Sequence, residues 1–503
     1  MKLFFLVLVF LAGSVNALHP IIIKGTRFFD KVTQEQFFVK GVSYQPRTNH
    51  VLIDPLADPV ACRRDSALMA HLGLNVIRVY EVDPANNHDE CMKSFADAGI
   101  YILLDIATPK FSVNRARPEY DVRLLQAYRA TIDAFGDYNN IFAFLAGNEV
   151  TNDKTNTLAS AYVKAGVRDI KRYLRDTRRY IPVGYANNDD GDIRDAIRDY
   201  FSCGDPDDQV DFFGVNLYEW CGKSTFEKSG YADRTREFDK FNKPVFLTEY
   251  GCNLVSPREF GEVEAIYSPA MTGVWSGGVV YEWTQENNNY GLVQQNPTNL
   301  TLLPDYTNLK DALSRVSPHK THLQDAPESG QEQVDCPGLS EVWKASSILP
   351  PTPLNETCTC AKQNVVCTAS DKIPDIEDRT TGIDSNSSLV VGAQIDMLCG
   401  LVSCEAIGGD ASAGLYGVYS GCSPKQKLSL LYNEYATMTG TCDFDGFALE
   451  ATPHRTSEDC SNKDKNRVFR PKPSLVTPTE AVAGRLRPSI ILVVGLVLVF
   501  MLC

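Results

Sequence analysis

The sequence predicts a (β/α)₈ barrel followed by a small disulfide-rich module. Short apolar runs alternate with helical patterns over roughly the first 300 residues, which is typical of a parallel sheet with crossover helices. Eight such units occur, the number that closes a barrel. After about residue 320 the apolar runs give way to closely spaced cysteines, as in small domains stabilised by disulfides.

Each predicted strand is a short apolar or aromatic run. In chain order the strands are residues 37–45, 75–80, 100–105, 141–150, 180–185, 210–218, 244–251 and 279–283. The clearest helical patterns between them cover residues 65–72, 89–98, 122–135, 157–174 and 257–271. The fifth strand is the weakest, because Pro182 is unusual in the middle of a sheet.

Polar residues end six of the eight predicted strands. In a (β/α)₈ barrel the active site lies at these carboxyl ends. The six residues are Gln45, Tyr80, Asp105, Glu149, Tyr218 and Glu249. We therefore expect them to meet at the mouth of the barrel.

Glu149 and Glu249 are the candidate catalytic pair. Two such carboxyls indicate glycosidic bond cleavage, in which one acid protonates the leaving oxygen and the other attacks the anomeric carbon. The fourth and seventh strands face each other across the barrel, so we expect a separation of about 5 Å, which fits a retaining mechanism. Asn148 can hydrogen-bond a sugar 2-hydroxyl, which favours Glu149 as acid/base and Glu249 as nucleophile. The alternative is two unrelated surface or ion-paired acids.

Aromatic residues near the strand ends would provide stacking surfaces for sugar rings. The candidates are Tyr44, Tyr80, Tyr218, Trp220, Tyr281 and Trp283. Any one of them is more often a core residue than a ligand contact. Tyr218 and Tyr281 rank highest because they lie beside the expected cleft.

Both ends of the chain have the pattern of processing signals. Residues 1–17 combine a basic start, an apolar middle and small residues before a cut that would leave Leu18 first, as in a secretory signal peptide. Residues 485–503 end in an apolar run shorter than the ~20 residues that span a bilayer. Small residues and a polar spacer precede this run, which predicts a glycosylphosphatidylinositol (GPI) attachment signal. The alternatives are a buried first strand and a short transmembrane tail.

Charge and cysteine content agree with a secreted protein that acts on a neutral polymer. The net charge of −14 argues against nucleic acid as a partner. Without Cys503 in the predicted tail, 14 of the 15 cysteines remain, an even number that favours disulfides over metal ligation. Asn299, Asn355 and Asn386 begin N-glycosylation motifs. We expect no metal and no cofactor, since two carboxyls supply acid, base and nucleophile.

Changes in composition set the expected domain boundaries. The catalytic barrel covers residues 18–340, and a proline-containing linker covers residues 341–357. The cysteine-rich module covers residues 358–460, with its best helix at residues 426–437. Residues 461–484 form a second linker to the anchor.

An ordered set of motifs over about residues 25–316 resembles the fungal cell-wall β-1,3-glucanosyltransferases of glycoside hydrolase family 72. The motifs are Gly41-Val-Ser-Tyr-Gln45-Pro, Ile77-Arg78-Val79-Tyr80, Leu104-Asp105, Gly147-Asn148-Glu149-Val150, Gly214-Val-Asn-Leu-Tyr218-Glu-Trp-Cys221-Gly222 and Thr248-Glu249-Tyr250-Gly251. The cysteine-rich part, with Cys358-Thr-Cys360, Leu398-Cys399-Gly400 and the run from Gly414 through Cys422, resembles the X8-type glucan-binding module that some members carry.

The resemblance implies roles for individual residues. Glu149 would be the acid/base and Glu249 the nucleophile. The sugar sites would be lined by Gln45, Tyr80, Asp105, Asn148, Tyr218 and Tyr281. The implied disulfides are Cys62–Cys91, Cys203–Cys336 and Cys221–Cys252, a choice that the sequence alone cannot make.

The implied activity is internal cleavage of β-1,3-glucan and transfer of the new end to the non-reducing end of another glucan. The enzyme would be a GPI-anchored monomer at the outer face of the plasma membrane or in the cell wall. An endo-β-1,3-glucanase, with water as acceptor, and a non-catalytic wall-binding scaffold are the alternatives. Whether the module binds glucan or mainly supports the barrel stays open.

Overall fold

The computed structural model describes residues 18–48, 51–295, 299–327, 334–373 and 385–453. The predicted signal peptide, the linker at 461–484 and the anchor signal at 485–503 lie outside these residues, so they stay predictions. Among the helices of the described ranges, none has the length and apolar character needed to cross a membrane.

Eight parallel strands close into a barrel in sequence order, which confirms the predicted fold class. They are β1 (Val39–Ser43), β2 (Val76–Val79), β3 (Tyr101–Asp105), β4 (Ile141–Asn148), β5 (Val183–Asn188), β6 (Phe212–Leu217), β7 (Val245–Tyr250) and β8 (Trp275–Val280). The fifth strand begins after Pro182, and the predicted start at Tyr180 was too early because that side chain is 89% exposed. The eighth strand ends one residue before Tyr281, so Tyr281 and Trp283 follow the strand instead of belonging to it.

Helices surround the barrel. They are α1 (Pro59–His71), α2 (Asp89–Asp97), α3 (Val122–Phe135), α4 (Ala159–Asp176), α5 (Arg194–Ser202), α6 (Tyr231–Phe238), α7 (Glu262–Ile266) and α8 (Pro304–Ser314). The prediction of one helix over residues 257–271 was wrong, because α7 has five residues. Phe260 has a φ of 53°, which is not helical, and Pro269 disfavours helical backbone at Ser268.

An N-terminal antiparallel sheet closes the amino end of the barrel. Its strands are Ile21–Lys24, Arg27–Asp30 and Gln36–Phe37. The ring of Phe28 is fully buried, and its centroid lies 5.0 to 6.0 Å from the rings of Phe142, Phe212 and Phe246 at the starts of β4, β6 and β7. Aromatic side chains thus fill this end, and the cleft lies at the opposite end, where the strands finish.

Three disulfides hold the barrel region together. They are Cys62–Cys91, Cys203–Cys336 and Cys221–Cys252, the pairs that the family resemblance implies. The first joins α1 to α2, and the third joins the segments that follow β6 and β7. In the described loops of the barrel region, two short strand pairs form: Arg47–Thr48 with Val51–Leu52, and Val293–Gln295 with Leu300–Leu302.

The segment expected as a linker, residues 341–357, packs against the barrel. Trp343 is 1% exposed, and its ring lies 5.0 Å from that of Tyr200 in α5. The Tyr200 hydroxyl donates to the carbonyl of Ser346 at 2.7 Å. The part of this segment around Trp343 and Ser346 therefore belongs to the barrel surface and does not act as a free spacer, and its last residues begin the first helix of the module.

The cysteine-rich module contains α9 (Asn355–Gln363), α10 (Ser385–Cys399) and α11 (Pro424–Thr439). Its described disulfides include Cys358–Cys422, Cys367–Cys442 and Cys399–Cys404. Its short strands form two antiparallel pairs, Cys367–Ala369 with Ala448–Glu450 and Gly409–Asp410 with Leu415–Tyr416. Ser423 begins α11 with a capping box to Gln426, and Gly440, with a φ of 75°, ends it. The helix predicted at residues 426–437 is thus present and somewhat longer.

Candidate active site

Glu149 and Glu249 lie at the same end of the barrel, and Asn216 connects them. Glu149 directly follows β4, and Glu249 is the fifth residue of β7. Asn216, in β6, is the register partner of Glu249, and its Nδ2 donates to Oε1 of Glu149 at 2.7 Å. The same amide nitrogen donates to Oδ1 of Asn148 at 3.1 Å. The two glutamates therefore share one cleft, as the sequence predicts.

Three donors fix the carboxylate of Glu249. Nη1 of Arg78 donates to Oε1 at 3.0 Å, and the hydroxyl of Tyr80 donates to the same oxygen at 3.0 Å. The hydroxyl of Tyr218 donates to Oε2 at 2.8 Å. Glu249 is 8% exposed, so these donors replace water around both of its oxygens.

The pKa of Glu249 results from opposing effects. Burial raises the pKa of this carboxyl to about 7, and the negative charge of Glu149 adds to the increase. The guanidinium of Arg78 and the hydroxyls of Tyr218 and Tyr80 lower the pKa. The ionised form that a nucleophile requires therefore depends on these three donors.

Arg78 and Asp105 form a buried ion pair beneath Glu249. Arg78 is fully buried, and its Nε and Nη2 donate to the two carboxylate oxygens of Asp105 at 3.1 and 2.9 Å. The guanidinium also lies 4.3 Å from the ring centroid of Tyr80. Asp105 is 2% exposed. Although the sequence suggested that Asp105 lines the sugar site, its carboxylate faces Arg78, through which it can hold Glu249.

Glu149 has an unusual backbone conformation. Its φ of 48° lies in the left-handed region that non-glycine residues rarely adopt. Its N–H donates to the carbonyl of Ala186 in β5 at 2.9 Å. Its carbonyl accepts from Nη2 of Arg115 at 2.6 Å. Strain of this kind persists where surrounding contacts impose it, and it is concentrated at functional sites.

Gln45 and Tyr281 meet on the side of the cleft formed by β1 and β8. Nε2 of Gln45 donates to the hydroxyl of Tyr281 and, at 2.6 Å, to Oε2 of Glu282. Oε1 of Glu282 accepts from Nδ2 of Asn288 at 2.8 Å. Because Tyr281 accepts from Gln45, its own proton is directed elsewhere, and a sugar oxygen could accept it.

Tyr218, which donates to Glu249, lies in a cluster of three tyrosine rings. The rings of Tyr218 and Tyr281 lie nearly perpendicular at 6.3 Å, and Tyr290 lies 5.8 Å from the first and 5.2 Å from the second. The sequence predicted two of the three. Tyr290 lies in a loop beyond β8, where no strand pattern points to the cleft.

Three other aromatic candidates are core residues. Tyr44 and Trp283 are each 1% exposed, and Trp220 is 7% exposed. The Tyr44 hydroxyl donates to Asp65 in α1, away from the strand ends. These rings cannot offer a stacking face to a sugar in this conformation.

Sequence reasoning did not assign roles to Arg78, Arg115, Asn216 or Glu282. A charged or amide residue inside an apolar strand is a usable signal, since burying it without a partner is costly, and this applies to Arg78 and Asn216. Arg115 lies in a polar loop, where an arginine is ordinary.

Within the described ranges, no group of three His, Cys, Asp or Glu side chains is placed to hold a metal ion.

A sequence profile of the glucanosyltransferase family, glycoside hydrolase family 72, matches residues 11–317. The chain belongs to this family. The glucanosyltransferase match covers the whole barrel, from the N-terminal sheet through α8. A second profile, that of the X8 domain, matches residues 383–449 and so covers most of the cysteine-rich module.

Several fungal proteins resemble this chain over most of its length. The 1,3-beta-glucanosyltransferase GAS2 of Saccharomyces cerevisiae is 40% identical over 468 residues, which cover 88% of this chain and 82% of that protein. The pH-responsive protein 1 of Candida albicans is 42% identical over 469 residues, which cover 90% of this chain and 83% of that protein. The solved structure of Saccharomyces cerevisiae Gas2p in complex with laminaritriose and laminaritetraose has a TM-score of 0.80 at 39% identity and covers 87% of this chain and 98% of that one.

Proposed function

We propose that this protein cleaves β-1,3-glucan within the chain and transfers the new end to the non-reducing end of another β-1,3-glucan. Membership of the glucanosyltransferase family supports the reaction class. The likeness to a structure in complex with laminaritriose and laminaritetraose supports the substrate class. The observation that carries the proposal is the pair Glu149 and Glu249, connected through Asn216 at the carboxyl end of the barrel.

In the first half of the reaction, Glu249 is the nucleophile and Glu149 the acid. A carboxylate oxygen of Glu249 attacks the anomeric carbon, and the bond from that carbon to the bridging oxygen breaks. Glu149 gives its proton to this oxygen, so the leaving glucan departs as an alcohol. The donor sugar remains as an ester on Glu249, held beside the donors from Arg78, Tyr80 and Tyr218.

In the second half, Glu149 is the base. Its carboxylate takes the proton of the 3-hydroxyl at the non-reducing end of an acceptor glucan, and that oxygen attacks the same anomeric carbon. The ester bond breaks and Glu249 leaves as a carboxylate. One glycosidic bond has been broken and one formed, with the β configuration retained and no redox change.

Five further residues are proposed to contact sugar. They are Gln45, Tyr80, Asn148, Tyr218 and Tyr281. Asn148 is half-buried next to Glu149, where its amide can bind a 2-hydroxyl. Tyr281 and Gln45 are hydrogen-bonded to each other on the opposite side, beside the Tyr218 ring. Asp105 is proposed to act indirectly, through Arg78.

We also propose that the protein acts outside the cell. Residues 1–17 would direct secretion, and the signal at residues 485–503 would be exchanged for a GPI lipid that holds a monomer at the outer face of the plasma membrane or passes it to the wall. Asn299 and Asn355 are exposed, as glycan acceptors must be, and Asn386 is a third candidate. The X8 match supports glucan binding by the module.

The test is to incubate the secreted protein, residues 18 to about 470, with a reduced β-1,3-gluco-oligosaccharide and to size the products by mass spectrometry. We expect products both longer and shorter than the starting sugar. Shorter products alone would assign the protein to the hydrolases, and no reaction would favour a wall-binding scaffold. Glu249→Gln is the control, because its carboxamide cannot form the ester, and we expect at least about a 10³-fold loss.

A further inference from the structure

We infer that Arg115 is a positioning residue for Glu149, and that the C-terminal module fixes the loop that carries Arg115. The inference rests on the acid/base role proposed above for Glu149. It assigns the module a part in catalysis that does not require glucan to bind to the module.

The backbone of Glu149 is fixed on its two sides by different parts of the molecule. Its N–H is bound by Ala186 of β5, within the barrel wall. Its carbonyl is bound by Arg115, from the loop between β3 and α3. A left-handed residue that is not glycine persists only where surrounding contacts impose this conformation. The barrel also holds the chain after Glu149, because Val150 is buried and the N–H of Thr151 donates to the hydroxyl of Tyr185 at 3.3 Å. Arg115 adds the bond to the Glu149 carbonyl itself.

The loop presents Arg115 from a defined turn. Oδ1 of Asn114 accepts from the backbone N–H of Ala116 at 2.9 Å and of Arg117 at 3.2 Å, which closes an Asx turn around Arg115. Val113, one residue before this turn, is buried in the barrel core. The start of the loop is thus anchored by the barrel.

The end of the loop is anchored by the module. Nζ of Lys427 in α11 lies 3.2 Å from Oε1 of Glu119, and the backbone N–H of Val122 donates to the carbonyl of Gly421 at 2.9 Å. Lys427 is 4% exposed, so loss of this partner would leave a buried charge without its carboxylate. A side-chain carbon on Gly392 of α10 would lie 3.5 Å from Nη1 of Arg117, so the module also lies against the end of this exposed arginine.

The chemical consequence is specific. A displaced Glu149 would transfer its proton poorly, whereas the attack by Glu249 needs no proton from Glu149. A shift of about 1 Å can cost on the order of a hundredfold in rate. Loss of Arg115 should therefore slow the steps that need a proton from or to Glu149 and leave the other steps intact.

The test compares two donors in the whole secreted protein. Transfer from a reduced β-1,3-gluco-oligosaccharide needs both the acid and the base. Transfer from β-laminaribiosyl fluoride to azide needs neither, because fluoride leaves without a proton and azide attacks without losing one. For Arg115→Ala we expect a loss of about ten- to a hundredfold with the first donor and at most about threefold with the second. Arg115→Lys, which keeps a charged donor, should recover part of the loss.

Glu149→Ala is the reference that separates this inference from the proposed function. If the fluoride and azide reaction is slow in Glu149→Ala as well, the acid/base role itself fails. A different pair of results would overturn the positioning role of Arg115. In that case the fluoride and azide reaction is normal in Glu149→Ala, but in Arg115→Ala it is slowed as much as the oligosaccharide reaction. An unchanged oligosaccharide reaction in Arg115→Ala would overturn that role too.

Glu119→Gln and Lys427→Gln test the part played by the module. Both should show the same donor-selective loss in weaker form, and Glu119→Gln, which leaves the buried charge of Lys427 without its carboxylate, should also lower the melting temperature. Glu90→Gln is the matched control, since Glu90 forms an exposed ion pair with Arg63 at 2.8 Å on the α1–α2 surface. If Glu119→Gln and Lys427→Gln match Glu90→Gln with both donors, the contribution of the module is overturned.

Discussion

Glu249 is buried, yet its proposed chemistry requires a charge. Its three donors come from β2, from the residue after β2 and from the residue after β6. Each compensates for part of the lost hydration, and the neighbouring Glu149 acts in the opposite direction. The balance leaves the pKa of Glu249 at about 7. A change in this pKa caused by a single side chain can therefore be measured near neutral pH.

Two substitutions should move the pKa of Glu249 in opposite directions. Glu149→Gln removes a negative charge that raises this pKa, so the pKa should fall. Tyr218→Phe removes a hydrogen bond that lowers the pKa, so it should rise. The measurement is the pH dependence of labelling by 2-deoxy-2-fluoro-laminaribiosyl fluoride, whose leaving group needs no acid. In the unsubstituted protein, labelling should weaken as the pH falls through about 7. Shifts in the same direction for both variants would contradict this electrostatic account.

Glu282 is completely buried. We nevertheless expect Glu282→Gln to slow transfer, through the residues to which Glu282 is hydrogen-bonded. Both oxygens of Glu282 accept hydrogen bonds from side-chain amides, those of Gln45 and Asn288. A glutamine at this position would place its own NH₂ group, a donor, against one of these two donors. An unsatisfied buried donor costs about 1 to 3 kcal/mol, so we expect roughly a tenfold lower rate. Because the effect passes through Gln45 to Tyr281, it should largely disappear in a Tyr281→Phe background. Additive losses in the double variant would instead indicate a purely structural defect.

At the scale of elements, the positions of the strand ends were predictable and those of several helices were not. Apolar runs ending in Asn148-Glu149 and Thr248-Glu249 identify β4 and β7 because a buried parallel strand is apolar throughout. The short α7 was not predictable, since Phe260 adopts its left-handed φ through tertiary packing. The role of Arg115 was not predictable either, because its contact is also tertiary. Its partner is a backbone carbonyl, which leaves no pattern in the sequence.

The disulfide Cys221–Cys252 joins the two segments that carry Tyr218 and Glu249. Replacing both cysteines by serine should lower the free energy of unfolding by about 3 kcal/mol and also lower the transfer rate several-fold. The same replacement of Cys62 and Cys91 is the matched control. The two bridges span 31 and 29 residues, so their effects on stability should be similar, while the α1–α2 bridge should leave the rate unchanged. Calorimetry and product analysis well below both transitions would measure these effects. Equal loss of rate in both variants would contradict a local role.

At the scale of the molecule, Tyr416 and Ala411 of the module pack into the hydrophobic core of the barrel, while most buried residues of the module form a core of their own. Tyr416 of the module is 1% exposed, and its ring lies 6.0 Å from that of Tyr162 in α4. Its hydroxyl donates to the carbonyl of Ile348, in the segment that the sequence suggested was a linker. Composition can indicate where a cysteine-rich module begins, but it does not show which barrel surface that module covers.

Tyr416→Ala should therefore destabilise the barrel as well as the module. Truncation of a buried aromatic side chain costs about 3 to 5 kcal/mol. Because Tyr416 joins the module to the core of the barrel, we expect a single calorimetric transition that moves as a whole to lower temperature. Leu415→Ala is the control, since Leu415 is adjacent but 42% exposed and should have little effect. A separate early transition for the module would contradict this coupling through Tyr416.

The central claim is that transfer proceeds through an ester on Glu249 with Glu149 as acid/base. The most direct measurement is to inactivate the secreted protein with 2-deoxy-2-fluoro-laminaribiosyl fluoride and locate the added mass by peptide mass spectrometry. The account predicts one added disaccharide, on Glu249, which is released and transferred when a β-1,3-glucan acceptor is supplied. A label on another residue, or inactivation without a covalent adduct, would contradict it.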